Sequence, residues 1–278
     1  MKLMSRKQLL VMGIALLMAT TMATGCAKNQ SGDQKSAVSG NVKVTGSTSI
    51  EPLAHELAEE FQIDNPDVQI SVTGGGSSVG IKAAQDGVAD IGMSSRELKS
   101  EEQGLKEFVI AKDGIAVVLH PENKVADLSL EQIKKMYSGE IKNWKDVGGA
   151  DAPITLVTRE EASGTRGAFE ELVMGKEAKI VNTAVVQSST GAIRTTVAGD
   201  ANAIGYMSMG ALDNQVKAVK VDGVEGTEEN AKNGSYKITR PFLFVTKAEP
   251  TGGAKAFIDW VLGEDGQRII GEEFISIK

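Results

Sequence analysis

Hydrophobic runs typical of β-strands alternate with helical patterns along most of this chain. The segments NVKVTG (41–46) and PFLFVTK (241–247) are rich in the β-branched and aromatic residues that favour strands. Between them, EPLAHELAEEFQ repeats Leu53, Leu57 and Phe61 every fourth residue, which places them on one face of a helix. Strands that alternate with helices predict an α/β protein with largely parallel sheets.

The first 25 residues have a different pattern, a short basic start followed by an uncharged and mostly apolar run. The run is shorter than the ~20 apolar residues that span a bilayer, and it has the layout of a secretory signal. Small residues precede Cys26, the single cysteine, in a pattern that resembles a bacterial lipobox. We therefore predict a lipoprotein signal peptide at 1–25 and lipid attachment at Cys26. The alternative is an ordinary secretion signal and a free thiol.

The polar stretch that follows Cys26 is predicted to be a flexible tether over residues 26–40, because it has no apolar face to bury. Together with the lipid, this tether would hold an exported protein on the outer face of the cell membrane.

Composition and charge narrow the classes of function. The chain of 278 residues is 41% hydrophobic, an ordinary globular value, and single cores usually stop growing beyond about 250 residues, so two domains are expected. Aromatic residues make up only 4%, which disfavours surfaces built on base or sugar stacking.

The net charge is −7, and the predicted signal contains only basic charged residues, so the rest of the chain is more acidic still. No nucleic-acid partner is therefore expected. We expect neither a metal nor another cofactor, because no cysteines and histidines are spaced as metal ligands.

Three strand-to-helix turns combine glycines with hydroxyl residues, at 45–52, 73–80 and 158–167. The first N–H groups of a helix have no partner within it, and they point outward with the positive end of the helix dipole. One such turn is explained by helix capping alone, but three in one chain favour a shared anion site. We expect the helix start at 163–165 to hold an oxyanion, with Arg159 beside it as a fixed cation.

Two glutamates follow Arg159 directly, and acids near an anion repel it. Glu160 or Glu161 could pair with Arg159 or Arg166 and fix its orientation. Alternatively, a carboxylate could accept a proton from the ligand, which a protonated phosphate offers and fully ionised sulfate does not. We favour the orienting role for Glu161, which lies two residues from Arg159.

An exported serine hydrolase is an alternative of a different class. GSSVG at 76–80 matches the G-x-S-x-G pattern of α/β-hydrolases, with Ser78 as the nucleophile. A triad in that chain order needs a later histidine, and only His120 follows. The same segment nearly matches a phosphate-binding P-loop, but Ile81 stands where the lysine is required. A binding protein without catalytic residues is therefore expected.

The motifs together resemble the phosphate-binding lipoproteins of bacterial high-affinity phosphate ABC transporters, from about residue 42 to the end of the chain. The segments that carry the resemblance are GSTSIEP, GGGSSVG, ADIGMSSRE, the Arg-x-x-x-Ser-Gly-Thr run from Arg159, AIGY and YSGEIKNWKDV. The resemblance implies an α/β, type II periplasmic-binding-protein-like fold, in which two crossing strands join two lobes around a ligand cleft. Lobe 1 would hold residues 41–118 and 240–278, and lobe 2 would hold residues 119–239.

The resemblance also implies that a monomer captures inorganic phosphate and delivers it to ABC permease subunits. Binding of another tetrahedral oxyanion, such as sulfate, molybdate or tungstate, is the alternative. The implied phosphate ligands are Thr48, Ser49, Ser77, Ser95, Arg159, Ser163, Gly164 and Thr165, with Arg96 and Glu161 just outside them. Well-known members have an aspartate where Ser95 stands, and that aspartate accepts a ligand proton. Here Glu161 or another acceptor would have to replace it.

Overall fold

The computed structural model describes residues 38–278 of the chain, so the predicted signal peptide, Cys26 and most of the predicted tether lie outside the described residues. The strands in this part are β1 (Gly40–Gly46), β2 (Val68–Gly74), β3 (Ile91–Ser94), β4 (Lys106–Leu119), β5 (Asp127–Leu128), β6 (Thr155–Arg159), β7 (Val185–Gln187), β8 (Ala203–Ser208), β9 (Lys217–Ala218), β10 (Lys220–Val221) and β11 (Thr239–Thr246). Val38 already packs against the core and β1 starts at Gly40, so the last residues assigned to the tether belong to the fold.

α-Helices lie between many of these strands, and two more follow β11. They are α1 (Glu51–Asp64), α2 (Ser77–Asp86), α3 (Leu130–Tyr137), α4 (Gly164–Phe169), α5 (Thr190–Ala198), α6 (Glu228–Lys232), α7 (Gly252–Val261) and α8 (Glu264–Ile270). The predicted apolar face of α1 is buried through Leu53, Leu57 and Phe61. At the start of α3, Ser129 Oγ accepts from Gln132 N at 3.1 Å while the Gln132 side chain accepts from Ser129 N at 2.8 Å, a reciprocal cap that fixes where the helix begins.

One sheet runs through the described part of the chain in the order β2-β1-β3-β11-β4-β8-β6-β7, with β9 beside β4; β5 and β10 form a separate pair. The two ends of the sheet are parallel, since β1 pairs with β2 and β3, and β6 pairs with β7 and β8. The prediction of parallel pairing holds at these ends. The middle of the sheet is antiparallel, because β4 and β11 run against each other and against their outer neighbours.

The two largest hydrophobic clusters both include residues of β4. One is built from residues up to Ala111 and from Phe242 onward, and the other from residues between Ile115 and Ile238 inclusive. On β4 the change from one cluster to the other falls between Ala111 and Ile115, whereas the predicted boundary between the lobes is residue 118. The division itself stays a prediction. Within residues 38–278, no helix combines the length and the apolar character needed to cross a membrane.

Candidate anion site

The three glycine- and hydroxyl-rich turns are in contact at the carboxyl ends of their strands. The turn between β2 and α2 meets the turn between β6 and α4 where Ser78 N donates to Ala162 O at 3.0 Å. The turn between β1 and α1 reaches the same place, since Ser49 Oγ lies 2.9 Å from Thr165 Oγ1. Ligands of α/β proteins bind outside the carboxyl ends of the strands, so the meeting point of these turns is the candidate anion site.

Seven side-chain hydroxyls lie there in two hydrogen-bonded groups, which Ser49 N joins by donating to Ser47 Oγ at 3.2 Å, and together they are called the hydroxyl cluster below. Its members are Ser47, Thr48, Ser49, Ser77, Ser95, Thr165 and Thr190. Ser47 Oγ donates to Ser95 Oγ at 2.9 Å, and Ser77 Oγ lies 3.3 Å from Ser95 Oγ. All members except Thr48 are buried. Because each hydroxyl carries one donor, the cluster can surround an anion with hydrogen bonds.

Gly164 lets the start of α4 approach this cluster. A Cβ atom at Gly164 would lie 2.7 Å from Ser95 Oγ and closer still to Ser77 Oγ. A larger residue at this position would therefore push α4 away from both serines. The preceding Ser163 caps α4, with its Oγ accepting from Arg166 N at 3.2 Å, and this leaves the Ser163 hydroxyl proton free to donate.

Arg159 supplies the cation of the site from the end of β6, and it is only 2% exposed. Its Nε and Nη2 donate to the Glu160 carboxylate at 3.0 and 2.8 Å, and to the carbonyl oxygens of Gln187 and Ser188 at 3.2 and 3.3 Å. Nη2 also donates to Thr48 Oγ1 at 3.2 Å. These partners hold the guanidinium in one orientation against the hydroxyl cluster, which is the fixed cation that the sequence predicts.

Tyr206 supports Arg159 from within the second large hydrophobic cluster. Its hydroxyl lies 2.6 Å from Thr158 Oγ1 and accepts from Arg159 N at 3.4 Å. Burial raises the pKa of Tyr206 to about 12, so the side chain stays neutral at physiological pH and adds no negative charge beneath the anion site.

The prediction that Glu161 orients Arg159 is wrong, because Glu160 makes that ion pair. Glu161 lies at the tip of the turn after β6, where its side chain is exposed to solvent. Arg166 pairs with neither acid. Its Nε donates to Glu170 Oε1 at 2.8 Å, and its Nη1 donates to Arg159 O at 3.0 Å.

Arg96 lies beside the site, and its side-chain partners are Glu102 and Ser78. Its guanidinium donates to both carboxylate oxygens of Glu102, at 2.7 and 2.8 Å, and to Ser78 Oγ at 3.1 Å. Burial raises the pKa of Glu102, but the hydrogen bonds from Arg96 and Lys99 outweigh it, so the pKa is lowered overall. Arg96 therefore supports the turn that carries Ser77 and Ser78, as an outer residue of the site.

Ser78 lacks the partners of a catalytic serine. Its hydroxyl accepts from Arg96, a cation that cannot serve as a base. His120, the one histidine that follows it in the chain, accepts from Glu122 N through Nδ1 at 3.2 Å in the turn after β4. The arrangement therefore does not favour the hydrolase alternative.

Several residues of the site were not predicted from the sequence. Thr190 starts α5, and its Oγ1 lies 2.9 Å from Ser49 Oγ. The signal for it was present, since Ser188, Ser189, Thr190 and Gly191 repeat the hydroxyl-and-glycine composition of the other three turns. Two charged residues behind the cluster, Asp113 and Arg240, were also missed.

Comparisons with known proteins agree with this geometry. The family model described as a PBP superfamily domain matches residues 31–265. The phosphate-binding protein PstS of Bacillus subtilis is 34% identical, over 96% of this chain and 92% of the relative. The chain belongs to the PstS family. The family membership that the sequence motifs predict is therefore confirmed.

Solved structures of similar proteins confirm the predicted α/β, periplasmic-binding-protein-like fold of this family member. A putative phosphate ABC transporter substrate-binding protein with bound phosphate, from Clostridium perfringens, is 48% identical. It covers 86% of this chain and all of its own, with a TM-score of 0.84. An ABC-type phosphate transport receptor from Vibrio cholerae is 36% identical over 85% of this chain and all of its own, with a TM-score of 0.72.

Proposed function

We propose that this protein captures inorganic phosphate outside the cytoplasm and delivers it to the permease of an ABC transporter, without catalysis. The observation that carries the proposal is the convergence of a buried, fixed guanidinium and seven hydroxyls from five turns. Glu160 occupies Nε and Nη2 of Arg159, whereas Nη1 makes only a 3.5 Å contact with Thr190 Oγ1 among the described residues. Nη1 can therefore donate a charge-assisted hydrogen bond to a small anion. The phosphate-related names of the similar proteins favour phosphate among the tetrahedral anions.

The ligands that we propose for phosphate come from both sides of the site. Thr48, Ser49, Ser77 and Ser95 would donate from the side of β1 and β3, and Arg159, Ser163, Gly164 and Thr165 from the side of β6 and α4. An anion held between the sides would stabilise their contact, because these bonds form only when the two sides are together. The permease would then recognise this closed form of a monomeric protein.

Ser95 stands where well-known family members have an acid. We therefore propose that affinity here comes from charge-assisted hydrogen bonds that the protein donates to the anion. Glu160 faces Arg159, and Glu161 faces solvent. The hydroxyls of the cluster have lone pairs that can accept the one proton of HPO₄²⁻, which sulfate lacks. We propose that this small difference, together with the family's site geometry, separates phosphate from sulfate.

Titration calorimetry of residues 38–278 with phosphate, sulfate and molybdate tests this function. We expect phosphate to bind at least tenfold more tightly than either competitor, a difference of about 1.4 kcal/mol. Equal or tighter binding of sulfate or molybdate would assign the protein to the alternative anion. Labelling of Ser78 by a fluorophosphonate would instead favour the hydrolase.

For localisation, we propose that the protein is exported and held at the outer face of the cell membrane by a lipid on Cys26, which lies outside the described residues. Cys26→Ala should release the protein into the medium or leave the signal peptide uncleaved, as seen by fractionation and intact mass. Ser31→Ala, a change in the same polar tether, should leave the protein in the membrane fraction. A Cys26→Ala protein that is cleaved correctly and still needs detergent for extraction would contradict the proposal.

A further inference from the structure

A buried ion pair joins the two long central strands directly behind the anion site. Asp113 on β4 and Arg240 on β11 are register partners, and each side chain is 1% exposed. Arg240 Nε and Nη2 donate to Asp113 Oδ2 at 3.0 and 2.8 Å, and Ser208 Oγ donates to Oδ1 at 2.9 Å. Burial raises the pKa of Asp113, and Arg240 and Ser208 oppose that shift. Such a pair is seldom a net gain over apolar residues, so its presence calls for another role.

The third nitrogen of Arg240 reaches the anion site. Nη1 donates to Thr165 Oγ1 at 2.6 Å and to Ser95 O at 3.1 Å. Thr165 lies at the start of α4, and Ser95 lies directly after β3. One guanidinium therefore contacts both sides of the site, beside the part of β4 that passes from one large hydrophobic cluster to the other.

This contact decides which way the Thr165 hydroxyl points. A guanidinium has five donors and no acceptor, so Thr165 Oγ1 must accept from Arg240. The Thr165 proton is then directed away from Arg240, on the side where Ser49 Oγ lies at 2.9 Å. A hydroxyl held in this way can donate only on the side away from Arg240, so it loses less rotational freedom when an anion binds.

We infer that Arg240, held by Asp113, is a positioning residue that directs the Thr165 hydroxyl proton towards the bound oxyanion and ties the turn after β3 to the start of α4. The inference rests on the proposed anion-binding function. Arg240 acts through Thr165 and Ser95 without contacting the ligand, which distinguishes it from Arg159.

A double-mutant cycle tests whether Arg240 acts through Thr165. The paired variant Asp113→Asn with Arg240→Met removes the donor without leaving a lone buried charge, and Thr165→Val removes the hydroxyl. We expect the paired variant and Thr165→Val each to weaken phosphate binding about tenfold. Combining them should weaken binding little more than Thr165→Val alone, because the effects of substitutions at contacting residues are not additive. Additive losses of about a hundredfold, or wild-type affinity in the paired variant, would overturn the inference.

Two further variants keep the test decisive. Arg240→Lys retains a cation beside Asp113 but loses the planar fork that bonds Asp113 and Thr165 together, so it replaces the paired variant in the cycle if that protein does not fold. The exposed pair Arg268 and Glu272 offers a matched control, and Arg268→Met with Glu272→Gln should leave the affinity unchanged.

Wild-type phosphate binding is measured first. Its absence would count against the proposed function, whereas an additive cycle in a protein that binds phosphate counts only against the role of Arg240.

Discussion

Replacing Gly164 by alanine should weaken phosphate binding at least a hundredfold, about 2.8 kcal/mol. The added Cβ would lie 2.7 Å from Ser95 Oγ and 2.9 Å from Ser77 Cβ. Neither serine can yield easily, because both are fully buried and Ser77 Oγ accepts from Ser95 N at 3.0 Å. The start of α4 would have to move outward, and its Thr165 hydroxyl would leave Ser49. Titration calorimetry on the purified variant measures the loss.

Gly191→Ala is the matched control for this change. Gly191 also lies in the first turn of a helix beside the hydroxyl cluster, but a Cβ there would meet no atom within 4 Å. Alanine favours helix more than glycine does, so the variant should melt at or above the wild-type temperature and bind phosphate within twofold of wild type. If Gly164→Ala also binds within twofold while remaining folded, close approach of α4 to Ser77 and Ser95 is not needed for binding.

Much of the fold was predictable because its signals are local. The spacing of Leu53, Leu57 and Phe61 is enough to place α1, and Ser129 with Gln132 is enough to start α3. The antiparallel centre of the sheet was not predictable from such patterns. Strand order depends on which distant segments pair, and a strand's hydrophobicity is the same whichever way its neighbour runs.

The anion site was likewise predictable where the signal is local in the sequence, and not where it depends on distant segments. Three turns were expected to share an anion because each has an unusual composition, and the structure brings them together. Glu160 and Glu161 could not be separated by sequence, since a turn of one residue more or less exchanges which of them faces Arg159. Asp113 and Arg240 each look like a solvent-facing charge in a strand, and only the register of β4 with β11 makes them a buried pair.

Loss of the guanidinium in Arg159→Ala should weaken phosphate binding by at least tenfold, and by closer to a hundredfold if two hydrogen bonds are lost. A hydrogen bond to a charged group contributes about 1.5–3 kcal/mol, and a guanidinium can donate two in parallel to an oxyanion. The variant also leaves the Glu160 carboxylate without its partner, with its charge near the anion. Binding within twofold of wild type, in a protein with an unchanged circular dichroism spectrum, would exclude Arg159 as a ligand.

The two neighbouring acids give Arg159→Ala its internal controls. Glu161→Gln changes an exposed side chain and should leave the affinities for phosphate and sulfate within twofold of wild type. Glu160→Gln changes the partner of Arg159, so it should shift both affinities together and keep their ratio, because that carboxylate faces the guanidinium rather than the ligand. A selective loss of phosphate affinity in Glu161→Gln would make Glu161 the acceptor of the ligand proton. Titrating both anions against all three variants distinguishes these outcomes.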